Sequence, residues 1–175
     1  MTKLMNCSHI INWKDVVNNL AGPGTPAYIN PEGWVAKANY NEIARLWVDA
    51  NMNFPGVGVY NYEPGEDFPN TVTEAMENLM GLTHIESWIT RIPPGMMAPY
   101  HWDFDHPIIE TLTTTPRRVS VHICDFEFGH VFILEDECIY NYTIGDVHEF
   151  PNIRSWHAGG NLGIVPKYMY HFVGY

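Results

Sequence analysis

Two short stretches hold a histidine and a carboxylate one residue apart: His84-Ile85-Glu86 and His101-Trp102-Asp103. Side chains on a strand alternate between faces, so a His-x-Asp/Glu pair puts both groups on one side. A distant histidine joining them completes a set of two imidazoles and one carboxylate. Such a set covers one side of a metal ion and leaves positions open on the other, an arrangement associated with non-haem Fe(II). The pair alone says little, because nine histidines and 20 acidic residues in 175 produce such a match by chance. Context selects His101 and Asp103. "SWITRIPPGMMAPYHWD" reads as a strand and a Pro-Gly turn leading into the pair. "GDVHEFPNIRSWHAGGN" then supplies His157 before small residues. Lys167 follows ten positions later, opening an apolar strand where a basic residue is unexpected. His84 and Glu86 have no such company and are read as a chance match.

The elements that must position these groups follow from periodicity. "AGPGTPAYINPEGW" (21–34) is rich in Gly and Pro and reads as loop. "NYNEIARLWVDAN" (39–51) reads as a helix through Ile43, Leu46 and Trp47, and 55–70 read as turns. In "TVTEAMENLMG" (71–81), Thr71 and Glu74 have capping-box spacing and Gly81 is a C-terminal stop, which predicts a helix. After Gly81 the pattern changes to short Val-, Ile-, Phe- and Tyr-rich runs: 84–92, 118–124, 130–135, 138–144, 146–150 and 167–175. Many short strands imply a sandwich, a jelly roll or a small barrel. The expected organisation is one domain over 1–175. Residues 1–83 would supply loops and helices, and 84–175 a β jelly roll carrying the metal site.

Composition narrows the function. The chain is 46% hydrophobic and 14% aromatic, enough for a folded core. A formal charge of −11 argues against a broad nucleic-acid surface. No run of about 18 apolar residues occurs, so no membrane span is expected. Cys7, Cys124 and Cys138 show no spacing of a disulfide framework or zinc ribbon. The first residues lack the apolar stretch of a signal peptide. The expected setting is cytoplasmic, with no nucleic-acid and no membrane partner.

Residues 87–174 resemble the core of the Fe(II)/2-oxoglutarate-dependent oxygenases, in the manner of the aspartyl/asparaginyl β-hydroxylase-like and prolyl hydroxylase-like members. The matching pieces are "PPGMMAPYHWD", "RRVSVHI", "YTIGDVHEFPN", "SWHAGGN" and "PKYMYHF". The resemblance implies a mainly β protein with N-terminal helices and a double-stranded β-helix, the cupin-like jelly roll. It implies Fe(II) on His101, Asp103 and His157, and 2-oxoglutarate with its far carboxylate on Lys167. Arg118, which opens "RVSVHIC", becomes a second cosubstrate contact by the same analogy. The activity implied is hydroxylation of an unactivated C–H of a protein side chain or amino-acid-like molecule, with O2 consumed and succinate and CO2 released. Three features depart from the pattern. The β-hydroxylases lack the carboxylate ligand that Asp103 would be, Ile92 stands where prolyl hydroxylases carry a Tyr, and the anchor is Lys rather than Arg. Two other readings use the same fold: a cupin-like metalloprotein without 2-oxoglutarate, and a non-catalytic jelly-roll binding module.

Other residues have plainer expectations. Arg118, Ser120 and His122 share one strand face, and Lys167, Met169 and His171 share another. His122 and His171 are expected as structural histidines, and Arg154 as one half of a surface ion pair. Tyr100 and Trp102 flank His101, and Asp105 and His106 read as loop. Trp34, Tyr60 and Tyr62 are aromatics of the N-terminal third, where substrate selection could lie.

Overall fold

In the computed structural model, residues 3–28, 58–102 and 113–175 are described. The described elements are, in chain order, β1 (Met5–Asn6), α1 (Trp13–Asn18), β2 (Thr25–Tyr28), β3 (Val59–Tyr62), α2 (Asn70–Met80), β4 (His84–Ile92) and β5 (Met97–His101). They continue with β6 (Arg117–His122), β7 (His130–Leu134), β8 (Glu137–Ile139), β9 (Asp146–Glu149), β10 (His157–Asn161) and β11 (Lys167–Gly174). Among the described residues they form two antiparallel sheets, one ordered β1-β9-β6-β11-β4-β3-β2 and one ordered β5-β10-β7-β8. This is a mainly β, cupin-like jelly roll.

Period-two alternation decides how each strand is buried. Val119, Val121, Val147, Tyr170, Phe172 and Ile89 point out of the barrel. There they pack with Trp13 of α1 and with Val72 and Met76 of α2. The alternate residues face the smaller sheet, where Met169 joins Phe132, Leu134, Tyr142 and Phe150 in a second core. β11 is central: it pairs with β4 from Lys167↔Ile92 onward and with β6 from Met169↔His122 onward.

α2 ends as its sequence requires, with Gly81 at φ 63, a left-handed position that favours glycine. Its start differs from the capping box read at Thr71 and Glu74. Pro69 is the N-cap, with no side-chain cap hydrogen bond, so Thr71 already lies inside the helix. β4 and β11 match their expected runs to within a residue, whereas 138–144 forms a strand only to Ile139. Residues 1–83, read as loops and helices, also supply β1, β2 and β3, which take both edges of the larger sheet. β3 falls inside 55–70, read as turns; there Tyr62 packs into the core beside the sheet. The helix expected over 39–51 and Trp34 lie outside the described residues. No described helix is long and apolar enough to cross a membrane. Cys7, Cys124 and Cys138 are all free thiols.

Candidate functional site

β5 and β10 are neighbours in the smaller sheet, and His101 and His157 are directly opposed partners across them. Both point into the barrel, are buried, and hold their ring centroids 4.3 Å apart. Each ring is fixed by its own strand. His101 Nδ1 bonds the carbonyl of Pro99, and His157 Nδ1 bonds the carbonyl of Ser155 at 3.0 Å. A carbonyl only accepts, so both Nδ1 atoms carry the hydrogen. A neutral ring held in this way keeps its lone pair on Nε2. That tautomer is the one a metal needs, and backbone carbonyls are common partners for the far nitrogen of a ligating histidine.

Arg118 completes this end of the barrel. It opens the inward face of β6 and is fully buried, with Nη2 3.4 Å from His157 Nε2. Its guanidinium lies over Phe150 at 4.2 Å and over Trp88 at 5.4 Å. Asp103, Asp105 and His106 lie outside the described residues. Among the described residues no three His, Cys, Asp or Glu side chains stand close enough to hold a metal. The two histidines are a pair that requires a third ligand, and their donor chemistry fits one.

Lys167 occupies the other end. Its ammonium group is wholly buried, donates to the carbonyl of Val131 and lies 5.4 Å from the centre of the Phe132 ring. Burial lowers it from 10.5 to about 7, with the Cys124 and Cys138 thiols pulling weakly the other way. No described carboxylate pairs with it. Val131 and Leu134 stand three residues apart on β7, and Leu134 faces His157, so the two ends are about 10 Å apart along the strand.

The ground between them is polar. His171 accepts or donates at 2.8 Å to Ser120 Oγ and stacks on Trp88 at 4.9 Å. His122 stacks on Tyr142 at 3.6 Å and meets His148 edge-on at 5.2 Å. Neither His122 nor His148 has a hydrogen-bond partner on either ring nitrogen. Burial, reinforced by Lys167 and the neighbouring imidazoles, holds His122 well below the usual histidine range. His148 is lowered by burial too, and Asp146 opposes the shift. His130 is ordered by two contacts. Its Nε2–H donates to the Val165 carbonyl, so Nδ1 accepts from the Tyr142 hydroxyl, both at 3.0 Å.

His122 and His171, expected as structural histidines, are buried on the inward face between the two ends, His171 bonded to Ser120 and His122 stacked on Tyr142. Arg154, expected in a surface ion pair, pairs with no described acid; its guanidinium lies 5.4 Å from the Trp102 ring centre. Tyr100 leaves the barrel, stacks on Trp156 at 5.3 Å and donates to the Glu135 carbonyl. Tyr60 lies on the far side of the larger sheet's edge under Arg91, at 4.4 Å. His84 bonds Ser87 Oγ at 3.0 Å and sits against Phe172, away from the paired histidines. Sequence reasoning missed His148, Trp88 and Phe150. A signal existed for His148, since Val147 beside it belongs outward and strand alternation turns His148 inward.

No protein-family model matches the chain, and no curated protein matches it. Solved structures do. A viral collagen prolyl hydroxylase from Paramecium bursaria chlorella virus 1, solved as a 2-oxoglutarate complex, is 11% identical with a TM-score of 0.50 over 86% of this chain and 96% of that one. A predicted oxalate decarboxylase from Thermotoga maritima is 14% identical with a TM-score of 0.45 over 87% and 93%. A cupin protein from Bacteroides fragilis is 12% identical with a TM-score of 0.39 over 57% and 72%. At these identities the likeness is one of fold.

Proposed function

We propose that the chain is an Fe(II)- and 2-oxoglutarate-dependent dioxygenase that hydroxylates an unactivated C–H of a protein side chain or small amino-acid-like substrate. The observation that carries this reading is the pair His101 and His157, with both Nδ1 atoms committed to backbone carbonyls at one end of a barrel whose other end holds Lys167. His101, Asp103 and His157 would hold the iron. Lys167 would take the far carboxylate of 2-oxoglutarate, and the span of about 10 Å along β7 suits a short dicarboxylate anchored at both ends. Arg118, beside His157, adds a second fixed positive charge for the cosubstrate. When bound, the iron would let O2 act as the oxidant, with two of its four electrons drawn from 2-oxoglutarate as it becomes succinate and CO2 and two from the substrate C–H.

This chain's residues have other tasks. The carbonyls of Pro99 and Ser155 hold the imidazoles in one tautomer. Phe132, Phe150 and Trp88 keep water from the basic groups they cover, which strengthens their hold on an anion.

The test is metal and cosubstrate binding together. The native chain is expected to bind one Mn(II) or Fe(II) and to release succinate when iron and 2-oxoglutarate are both present. His157→Ala is expected to lose metal affinity by more than about 100-fold. A native protein that takes up no Mn(II) or Fe(II) would overturn the reading in favour of a non-catalytic module. Metal uptake without any 2-oxoglutarate binding would favour a cupin-like metalloprotein of another class.

A further inference from the structure

The interior between the two ends is crowded with bases. Arg118, His122, His148, Lys167 and His171 all face inward, and no described carboxylate faces Lys167. Its one hydrogen bond is to the neutral carbonyl of Val131, and it has no solvent exposure. The other titratable groups acting on it are imidazoles and thiols, none of them a carboxylate: His122 on β6, Cys124 just beyond it, His130 on β7 and Cys138 on β8. An ammonium in such a place lacks both water and a counter-ion, the costliest state for a buried charge. A carboxylate arriving there reverses the balance, because a close opposite charge favours the protonated amine.

Resting on the functional reading above, we propose that this end of the barrel binds its carboxylate ligand together with a proton, which Lys167 acquires as the ligand enters. In the free protein Lys167 is held near 7 by burial, so at pH 8 it is mostly neutral. With a dicarboxylate bound it returns toward the ordinary lysine range and is charged. The carboxylates of 2-oxoglutarate are ionised throughout, so the proton comes from solvent. The sign follows by linkage: the complex holds more protons than its separated parts above pH 7, so affinity falls as pH rises there. Below pH 7 the lysine is already charged and affinity is level.

The experiment titrates 2-oxoglutarate into the full Mn(II)-loaded chain by calorimetry at pH 8. Buffers of different ionisation enthalpy then report the protons taken up. The native chain is expected to take up close to one, and its Kd to weaken by up to about tenfold per pH unit between 7 and 9. Lys167→Arg keeps a permanent charge, so binding should persist with almost no proton uptake. Lys167→Met covers the case in which arginine does not fit; it should bind at least about tenfold more weakly and also take up no proton. Uptake near zero in the native chain overturns the proposal, as does native-like uptake in both variants, which would move the proton to an imidazole. Tight binding without proton uptake leaves the functional reading intact and removes only this inference. No binding of 2-oxoglutarate at any pH removes both.

Discussion

On the outward side of the larger sheet stand Val119, Val121, Val147, Tyr170 and Phe172, none more than 1% exposed and all packed beneath α1 and α2. On the inward side of the same strands stand Arg118, Ser120, His122, His148, Lys167 and His171, also buried, none more than 6% exposed. The outward set removes apolar area from water and stabilises the fold at roughly 25 cal/mol per Å². The inward set gives up hydration without full compensation, since His122 and His148 have no hydrogen-bond partners and Lys167 has only a carbonyl. Each strand thus carries the stabilising and the costly residues alternately. A protein keeps buried bases at such a cost where something binds them, and strained polar interiors gather at sites of function.

The contrast can be broken from either side. The largest effect should come from the outward face. Phe172→Ala removes a fully buried ring and is expected to cost about 3–5 kcal/mol, read as a lower midpoint in urea. A loss below about 1 kcal/mol would mean that the helices do not seal that face.

The inward face should respond with the opposite sign. Lys167 is near 7 in the fold and at 10.5 ordinarily, so between those values the unfolded chain holds the extra proton. Raising the pH across that window therefore stabilises the native protein, and the deficit is complete below pH 7. Lys167→Met should abolish this slope and be more stable than the native chain at pH 6, on the order of a few kcal/mol. Unfolding curves at pH 6 and pH 9 decide it; a variant less stable at pH 6 would show that the ammonium is already balanced without ligand.

A smaller effect is expected where the two sheets meet. A Cβ on Gly159 of β10 would lie 2.8 Å from Ile92 Cδ1 of β4. Gly159→Ala should cost about 1–3 kcal/mol unless the isoleucine turns aside. The smallest effect should fall on the neighbour of a buried base. Arg117 makes an ion pair with Glu149 at 2.6 Å while 40% exposed, so Arg117→Ala should cost under about 1 kcal/mol of thermal stability. One residue further on, Arg118 is 1% exposed.

Alternation made much of this legible. "RVSVHIC" and "KYMYHFVGY" announce two-faced strands by their letters, and the outward valines and inward bases lie as period two requires. β10 was hidden, because "HAGGN" has the glycines of a turn; the first of them, Gly159, serves a close approach between sheets that only the fold creates. β1 was hidden for another reason. It has two residues, and what fixes it is remote: Asn6 donates to Asp146 at 2.6 Å and Lys3 pairs with the same carboxylate at 3.1 Å. The paired histidines were legible in order and spacing, but the tautomer that suits them to a metal rests on carbonyls, which no sequence motif records.

The place of β11 also bears on how the chain is made. It is the last of the described strands in sequence, yet it lies in the middle of the larger sheet, between β6 and β4. A nascent chain that has not yet emerged past residue 167 therefore has two half-sheets and no seam to join them. Their open edges, β4 and β6, are apolar on the outward face, which is the kind of surface that invites wrong pairing and chaperone capture. The ribosome must deliver nearly all of these 175 residues before the barrel can close, so its assembly is a late and largely all-or-none event.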